Sequence, residues 1–374
     1  MTIDKLAFTN EQWHKLEDKI LTTDSVDLVL VFGDIDSVEK HNHYHLLQDF
    51  YPDSHILICS TAGNILDTSI DTYCVVATAI SFKSAYVRAY SQELREKDSL
   101  IKIQNLIDSL QTEDLKHLLI FGPGMEDDSN ILEKIQFQEG VTVSGGFAGD
   151  NYRFNHTYQQ LNNNGSRTKF IVVGLYGSSL QVETSSESGW QEFGSQRVVS
   201  KAEKNIIYEI DNQPAIELYR RYLGTRANDL PKSALRFPLS IKDNETSKYR
   251  IIRAMMKVNS DSSLSFSTKI KEGSTVKLMK TNVHNTLDSA FIAAKKIRPF
   301  NAKPSLTLIV SCCARRNVLK QFSEEELEII QDILTPSTQM IGFYSYGEIA
   351  PIHKQYENSL LRNHTITIST IYEK

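Results

Sequence analysis

Residues 339–350 read QMIGFYSYGEIA. An apolar run ends in a turn of small and aromatic residues, and an acid, Glu348, follows Gly347 directly. Upstream lie LTLIVSCCARR (306–316), an apolar strand-like run, and FSEEELEIIQDIL (322–334), whose spacing is helical. Ser323 with Glu326 three residues on predicts a capping box at that helix start. Downstream, HTITISTIY (364–372) alternates as a half-buried strand does. The unit therefore runs strand, helix, strand, glycine turn, strand.

The same order occurs twice more. VDLVLVFGD (26–34), a helix-compatible stretch, SHILICSTAGNI (54–65) and YCVVATAISF (73–82) form one copy. HLLIFGPG (117–124), GVTVSGGFAGDN (140–151) and KFIVVGLYG (169–177) form another. Gly63, Gly149 and Gly347 hold the equivalent place, followed by Asn64, Asp150 and Glu348. Unbroken Val/Ile/Leu runs mark strands covered on both faces. A repeated strand–helix–strand unit predicts an α/β protein (α+β mixed), with mixed β-sheets covered by helices and an internal pseudo-repeat.

A different region separates the second and third copies. NIIYEID (205–211) is strand-like, and Pro214 starts a helix that Gly224 ends. RIIRAMMKV (250–258), LSFSTKI (264–270) and TVKLMKT (275–281) read as a meander, and TLDSAFIAAKKI (286–297) as an amphipathic helix. Three spans follow: an N-terminal helix over 1–25, a first domain over 26–200 and a second over 201–374.

The 374 residues carry a net charge of -5, with 40% hydrophobic and 23% charged residues. That is an ordinary globular composition with no basic nucleic-acid footprint. No apolar run is long enough to span a bilayer, and the first twenty residues lack a signal-peptide core, so a cytoplasmic location is expected. The four cysteines form no CxxC pair and suit a reducing compartment. GPG (122–124) and SGG (144–146) match no phosphate-loop spacing. No GxSxG, HExxH or spaced carboxylate pair appears, and the chain is read as a non-enzyme.

CSTAGNI, GGFAGDN, GWQEFG (189–194), EIDNQPAIELYRRYLG (209–224), FPLSI (237–241), IIRAM (251–255), SCCARR (311–316) and GFYSYGEIAP (342–351) together resemble the FIST family of sensory domains. The resemblance runs in order from about residue 27 to 368, FIST N before FIST C. It implies ligand sensing in bacterial signal transduction. One stand-alone branch comprises haem-containing nitric-oxide sensors that control a partner histidine kinase, and this chain resembles it in size. The implied cofactor is haem b, the implied ligand nitric oxide, and a homodimer is compatible. A haem-free sensor of a small ligand such as an amino acid is the alternative. The family's closing motif, leucine–histidine–asparagine–glutamine–threonine, here reads Leu361, Arg362, Asn363, His364, Thr365, so a ligand role for the usual histidine does not carry over.

Haem needs a His, Cys, Met or Tyr ligand in an apolar pocket. His364 and His353 flank the third glycine turn and its return strand, with His364 the candidate for haem iron and Glu348 for the acceptor on its other ring nitrogen. Arg315 suits a bidentate clamp on a carboxylate, or equally an ion pair with Glu348 or Asp150. Cys312 reads as a buried thiol or a thiolate ligand. His41 and His45 sit four apart and could chelate a metal or simply face solvent. The ligand site is expected beside Tyr346, since Tyr344 and Tyr346 replace the smaller residues of the other copies.

Overall fold

The computed structural model describes residues 1–16, 26–94, 98–125, 131–243, 250–297, 305–334, 338–351 and 359–374. Each copy of the repeat folds to one topology. Leu28–Gly33 pairs in parallel with His55–Ser60 and antiparallel with Val75–Ser81. Leu115–Gly122 does the same with Thr142–Phe147 and Lys169–Tyr176. Leu306–Cys312 does so with Gln339–Ser345 and Thr365–Glu373. The first strand is central each time and buried along its whole length, which explains the unbroken apolar runs.

The three copies close into a ring by exchanging short strands. The strand after each glycine turn leaves its own copy and pairs antiparallel with the second strand of another. Asn64–Leu66 adds to Gln339–Ser345, Gln159–Leu161 adds to His55–Ser60, and Gly347–Pro351 adds to Thr142–Phe147. This leaves no second strand with a free edge at its turn. Phe32, Phe121 and Phe343, one from each copy, meet at the centre, with Phe32 and Phe343 stacked at 4.7 Å.

Space divides the chain differently from sequence. The third copy belongs to the ring, and residues 191–280 form an inserted body with its own core around Tyr219, Leu239, Phe266 and Leu278. The helix Ala215–Leu223 ends at Gly224, φ +56°, as its punctuation predicts. The meander run at 250–258 is two strands, Ile251–Arg253 and Met255–Val258, which pair with different neighbours. The helix Val283–Lys296 returns the chain to the ring.

Two expectations need correction. Of the N-terminal span, the described residues 1–16 do not form a helix: Thr2–Thr9 and Gln12–Lys15 make a hairpin, Thr2–Phe8 pairing with Val75–Ser81. Ile3, Leu6 and Phe8 are buried against that edge, so burial against the sheet decides over local propensity. The capping box is also absent. Glu326 turns away from the helix start to meet Arg315, and the Ser323 hydroxyl donates to the Lys320 carbonyl at 2.7 Å.

Candidate functional site

The ring draws the three glycine turns together. Ala62 N donates to Tyr344 O (2.8 Å) and Tyr344 N to Gly63 O (2.7 Å). Gly149 N donates to Ser60 O (3.0 Å), and the Ser60 hydroxyl returns a bond to Gly149 O (2.7 Å). Gly63 sits at φ +136°, while at Gly149 a side chain would strike the Ala62 backbone. Gly63 and Gly149 are thus accounted for by backbone geometry, while at Gly347 a side chain would strike that of Leu361.

The acids after the glycines do different work. Asp150, buried, accepts from the backbone N–H groups of Phe154 (2.9 Å), Asn155 (2.7 Å) and His156 (3.2 Å), and from the Tyr346 hydroxyl. It holds a loop in which Asn151, Tyr152 and Phe154 all have positive φ. Left-handed backbone at bulky aromatics is strained by ~1–3 kcal/mol each and persists only where neighbours over-determine it. The constraint sets the Phe154 ring on Tyr346, stacked at 4.8 Å, and lets the Tyr152 hydroxyl donate to Cys313 O at 2.7 Å.

Above this loop opens a cavity of about 460 Å³ between the ring and the inserted body. Tyr152, Phe154, Leu235, Met255 and Met256 form its apolar walls, and Lys232 and Asn317 add polar groups. Among the described residues Lys232 has no ion-pair partner and the Asn317 side chain no hydrogen bond. A mostly apolar pocket of this size with a few polar groups, at a domain junction, is the usual form of a small-molecule site.

The residues singled out from sequence are not all gathered there. Tyr346 forms the floor beneath Phe154. Arg315 is fully buried: its guanidinium bonds Glu326 (2.5 and 3.0 Å), the Ser289 hydroxyl (2.9 Å) and Thr286 O (2.8 Å), so its ion pair is with Glu326 and with neither Glu348 nor Asp150. Glu348 is buried with Ser345 (2.6 Å) and Thr365 (2.9 Å), and loss of water holds its carboxyl well above the usual range. His364, at φ +63°, donates from Nε2 to Leu235 O at 3.1 Å and packs edge-on to Trp190. Burial depresses its pKa to about 3, so the ring is neutral. His353 lies outside the described residues. Cys312 is buried and its thiol pKa is pushed up by loss of water. In 41–45 it is His43 that matters structurally, packed on Phe8 and Trp13; the described residues contain no cluster of three metal-ligating side chains.

Haem fits this arrangement poorly at His364. The imidazole is enclosed, its Nε2 is engaged by a backbone carbonyl, and it does not line the apolar cavity; Nδ1 is buried with no partner among the described residues, and Glu348 bonds elsewhere. Sequence reasoning missed Phe154, Lys232, Asn317 and the Met255–Met256 pair. The one local signal was YRF after GGFAGD, bulky residues where a turn would favour small ones.

The FIST N domain matches residues 27–213 and the FIST C domain matches residues 215–351, so the chain belongs to the FIST family. Those domains mark a sensory role in signal transduction. An uncharacterised protein of Methanocaldococcus jannaschii is 23% identical over 335 residues, covering 81% of this chain; the chain spans 62% of that relative's length. A cyanuric acid hydrolase from A. caulinodans is 8% identical, covers 78% of this chain and 99% of its own, and has a TM-score of 0.16, too low to bear on fold or function. No helix among the described residues is long and apolar enough to cross a membrane.

Proposed function

We propose that the protein is a haem-free sensor whose ligand is a small, largely apolar molecule bound between ring and inserted body. One observation carries this reading: the 460 Å³ apolar cavity, floored by an aromatic stack that a strained loop and Asp150 hold in place. Lys232 and Asn317, unpartnered among the described residues, suit an acidic or polar end on that ligand. A hydrophobic amino acid has this chemistry. Occupancy would favour one arrangement of the two bodies over another, and a separate histidine kinase is the partner that the family resemblance suggests would read it.

Thermal melts of the full chain against hydrophobic amino acids test the site. A ligand at 100 times its Kd stabilises by ~2.7 kcal/mol. Met256→Trp, which fills the cavity, should remove that shift while the protein stays folded. Retention of the shift in Met256→Trp would move the site elsewhere. An absorption spectrum with and without nitric oxide decides against the haem alternative: a Soret band from iron-supplied expression would refute the haem-free reading.

A further inference from the structure

A second cavity, about 200 Å³, lies beside Trp190, where the Thr365–Glu373 strand begins. It is more polar than the apolar pocket, though Ile251, Ile252 and Met279 share its lining. Arg362, Arg250, Asn363, Thr365 and Glu192 line it with Trp190.

Arg362 is the unusual member. A guanidinium has five N–H donors. Among the described residues Arg362 uses one, at 3.3 Å to Pro351 O. No carboxylate of the described residues lies within ion-pair distance of it. Glu187 and Glu348 favour its charge from a distance, but neither bonds it: Glu187 pairs with Lys296, and Glu348 bonds Ser345 and Thr365. Loss of water is the main influence on Arg362 and works against its charge. Among the described residues this partly buried cation therefore has no counter-ion, and a cation so placed is costly unless an anion reaches it.

Arg250 differs, because its guanidinium is engaged by Gln196 (2.5 Å), the Thr275 hydroxyl (3.0 Å) and Glu192 (3.5 Å). Glu192 also meets Lys277 at 3.1 Å and the Ser240 hydroxyl at 2.7 Å. Burial opposes its charge, but these partners outweigh burial and keep it ionised. A ligand here therefore meets a guanidinium with no carboxylate partner among the described residues, and a standing carboxylate, Glu192. A dianion would be repelled by Glu192, whereas a planar monoanion matches the fork.

We infer that this cavity is a binding site for a small monocarboxylate, held by Arg362 and distinct from the apolar pocket. The site lies where the return strand meets the inserted body. Asn363 bonds Tyr346 O (3.2 Å) and accepts from Ala254 N (3.3 Å) and the Ser267 hydroxyl (2.7 Å), so its occupant sits beside the joint between the two bodies.

The test uses the full chain at low ionic strength, with propionate, inorganic phosphate and chloride as probes at matched ionic strength. Propionate should raise the melting temperature saturably, and phosphate and chloride should not. Arg362→Gln should weaken propionate at least tenfold and leave the response to apolar-pocket ligands intact. Without propionate, Arg362→Met should melt at or above the wild-type temperature, because it removes a partly buried charge with no carboxylate partner among the described residues. The inference is overturned if propionate has no effect on wild type, if Arg362→Gln keeps the full response, or if phosphate outperforms propionate. It is also overturned if Arg362→Met melts several degrees lower, which would make the arginine structural.

Discussion

Asp150→Ala tests the assignment of this residue as the organiser of the ligand-site floor. The carboxylate accepts three backbone N–H bonds, from Phe154, Asn155 and His156, and the Tyr346 hydroxyl. At a net ~1 kcal/mol each, deleting all four loses ~4 kcal/mol. The loop then relaxes in part: relief at one of its three left-handed residues recovers ~1–2 kcal/mol, since such strain persists only where it is enforced. The expected loss is thus ~2–3 kcal/mol, a large part of a typical domain's stability. Urea unfolding should show a lower midpoint with an unchanged slope. Hydrogen exchange should speed up at the amides of 154–156, and the apolar-pocket response should vanish. A double-mutant cycle with Tyr346→Phe should give a coupling of ~1 kcal/mol or more. Asp150→Ala within 0.5 kcal/mol of wild type, with protection at 154–156 unaltered, would refute the reasoning.

Three further outcomes follow from the same geometry. Arg315→Met strands the fully buried Glu326 and should cost ~3–5 kcal/mol by urea unfolding, whereas Arg315→Met with Glu326→Leu should recover most of it; equal losses in both would sink the ion-pair account. Burial depresses His43 to about 4 and His117 and His364 to about 3, so the unfolded chain takes up protons that the folded chain does not. Their contribution is present above pH ~6.5 and is lost as pH falls toward 4, at ~1.4 kcal/mol per pH unit for each fully titrating histidine; flat unfolding free energies from pH 7 to 5 would contradict the burial of these rings. Burial opposes the charge of Glu373, but the N–H groups of Lys83, Ser84 and Ala85 and the Met1 ammonium outweigh it and lower its pKa to about 2. Glu373→Gln should therefore remove stability at pH 7 and lose its effect as pH falls from 4.5 to 2, and an effect independent of pH would point to packing.

The ring was largely legible because its nine main strands are buried on both faces and write themselves as apolar runs. VDLVLVFGD contains Leu28–Gly33; HTITISTIY misled in one respect, since its alternation suggests a half-buried strand, yet Thr365, Thr367, Ser369 and Thr370 are buried too, on a strand covered on both faces. The exchanged strands were not legible. Asn64–Leu66 and Gln159–Leu161 are three residues each, too short to carry a period, and their partners lie far away in sequence. The site suffered for the same reason. Tyr346 was found because its copy departs from the others, but Phe154, Lys232 and Met256 meet it only after the ring closes and the inserted body docks. Arg315 misled because an arginine at a strand end suits a ligand clamp and a buried ion pair equally, and only the position of Glu326 decides between them.

The division of labour between the two bodies follows from how each is held. In the ring, every turn is tied to another copy by backbone hydrogen bonds, so moving one turn breaks pairing in a second sheet. The inserted body is attached by two chain crossings, by Leu235 and Met279 packed with Trp190, Cys312, Ala314 and Val318, and by side-chain bonds that include Arg253 to Leu361 O (2.8 Å) and to Glu133 (3.0 Å). Interfaces of this kind permit relative motion more readily than a closed sheet does. Leu235 belongs to that contact and to the pocket wall, and its carbonyl carries the His364 hydrogen bond. A ligand that presses on Leu235 therefore acts on the joint itself. The aromatic floor, fixed by Asp150, stays still beneath it, and that asymmetry would turn occupancy into movement of one body against the other.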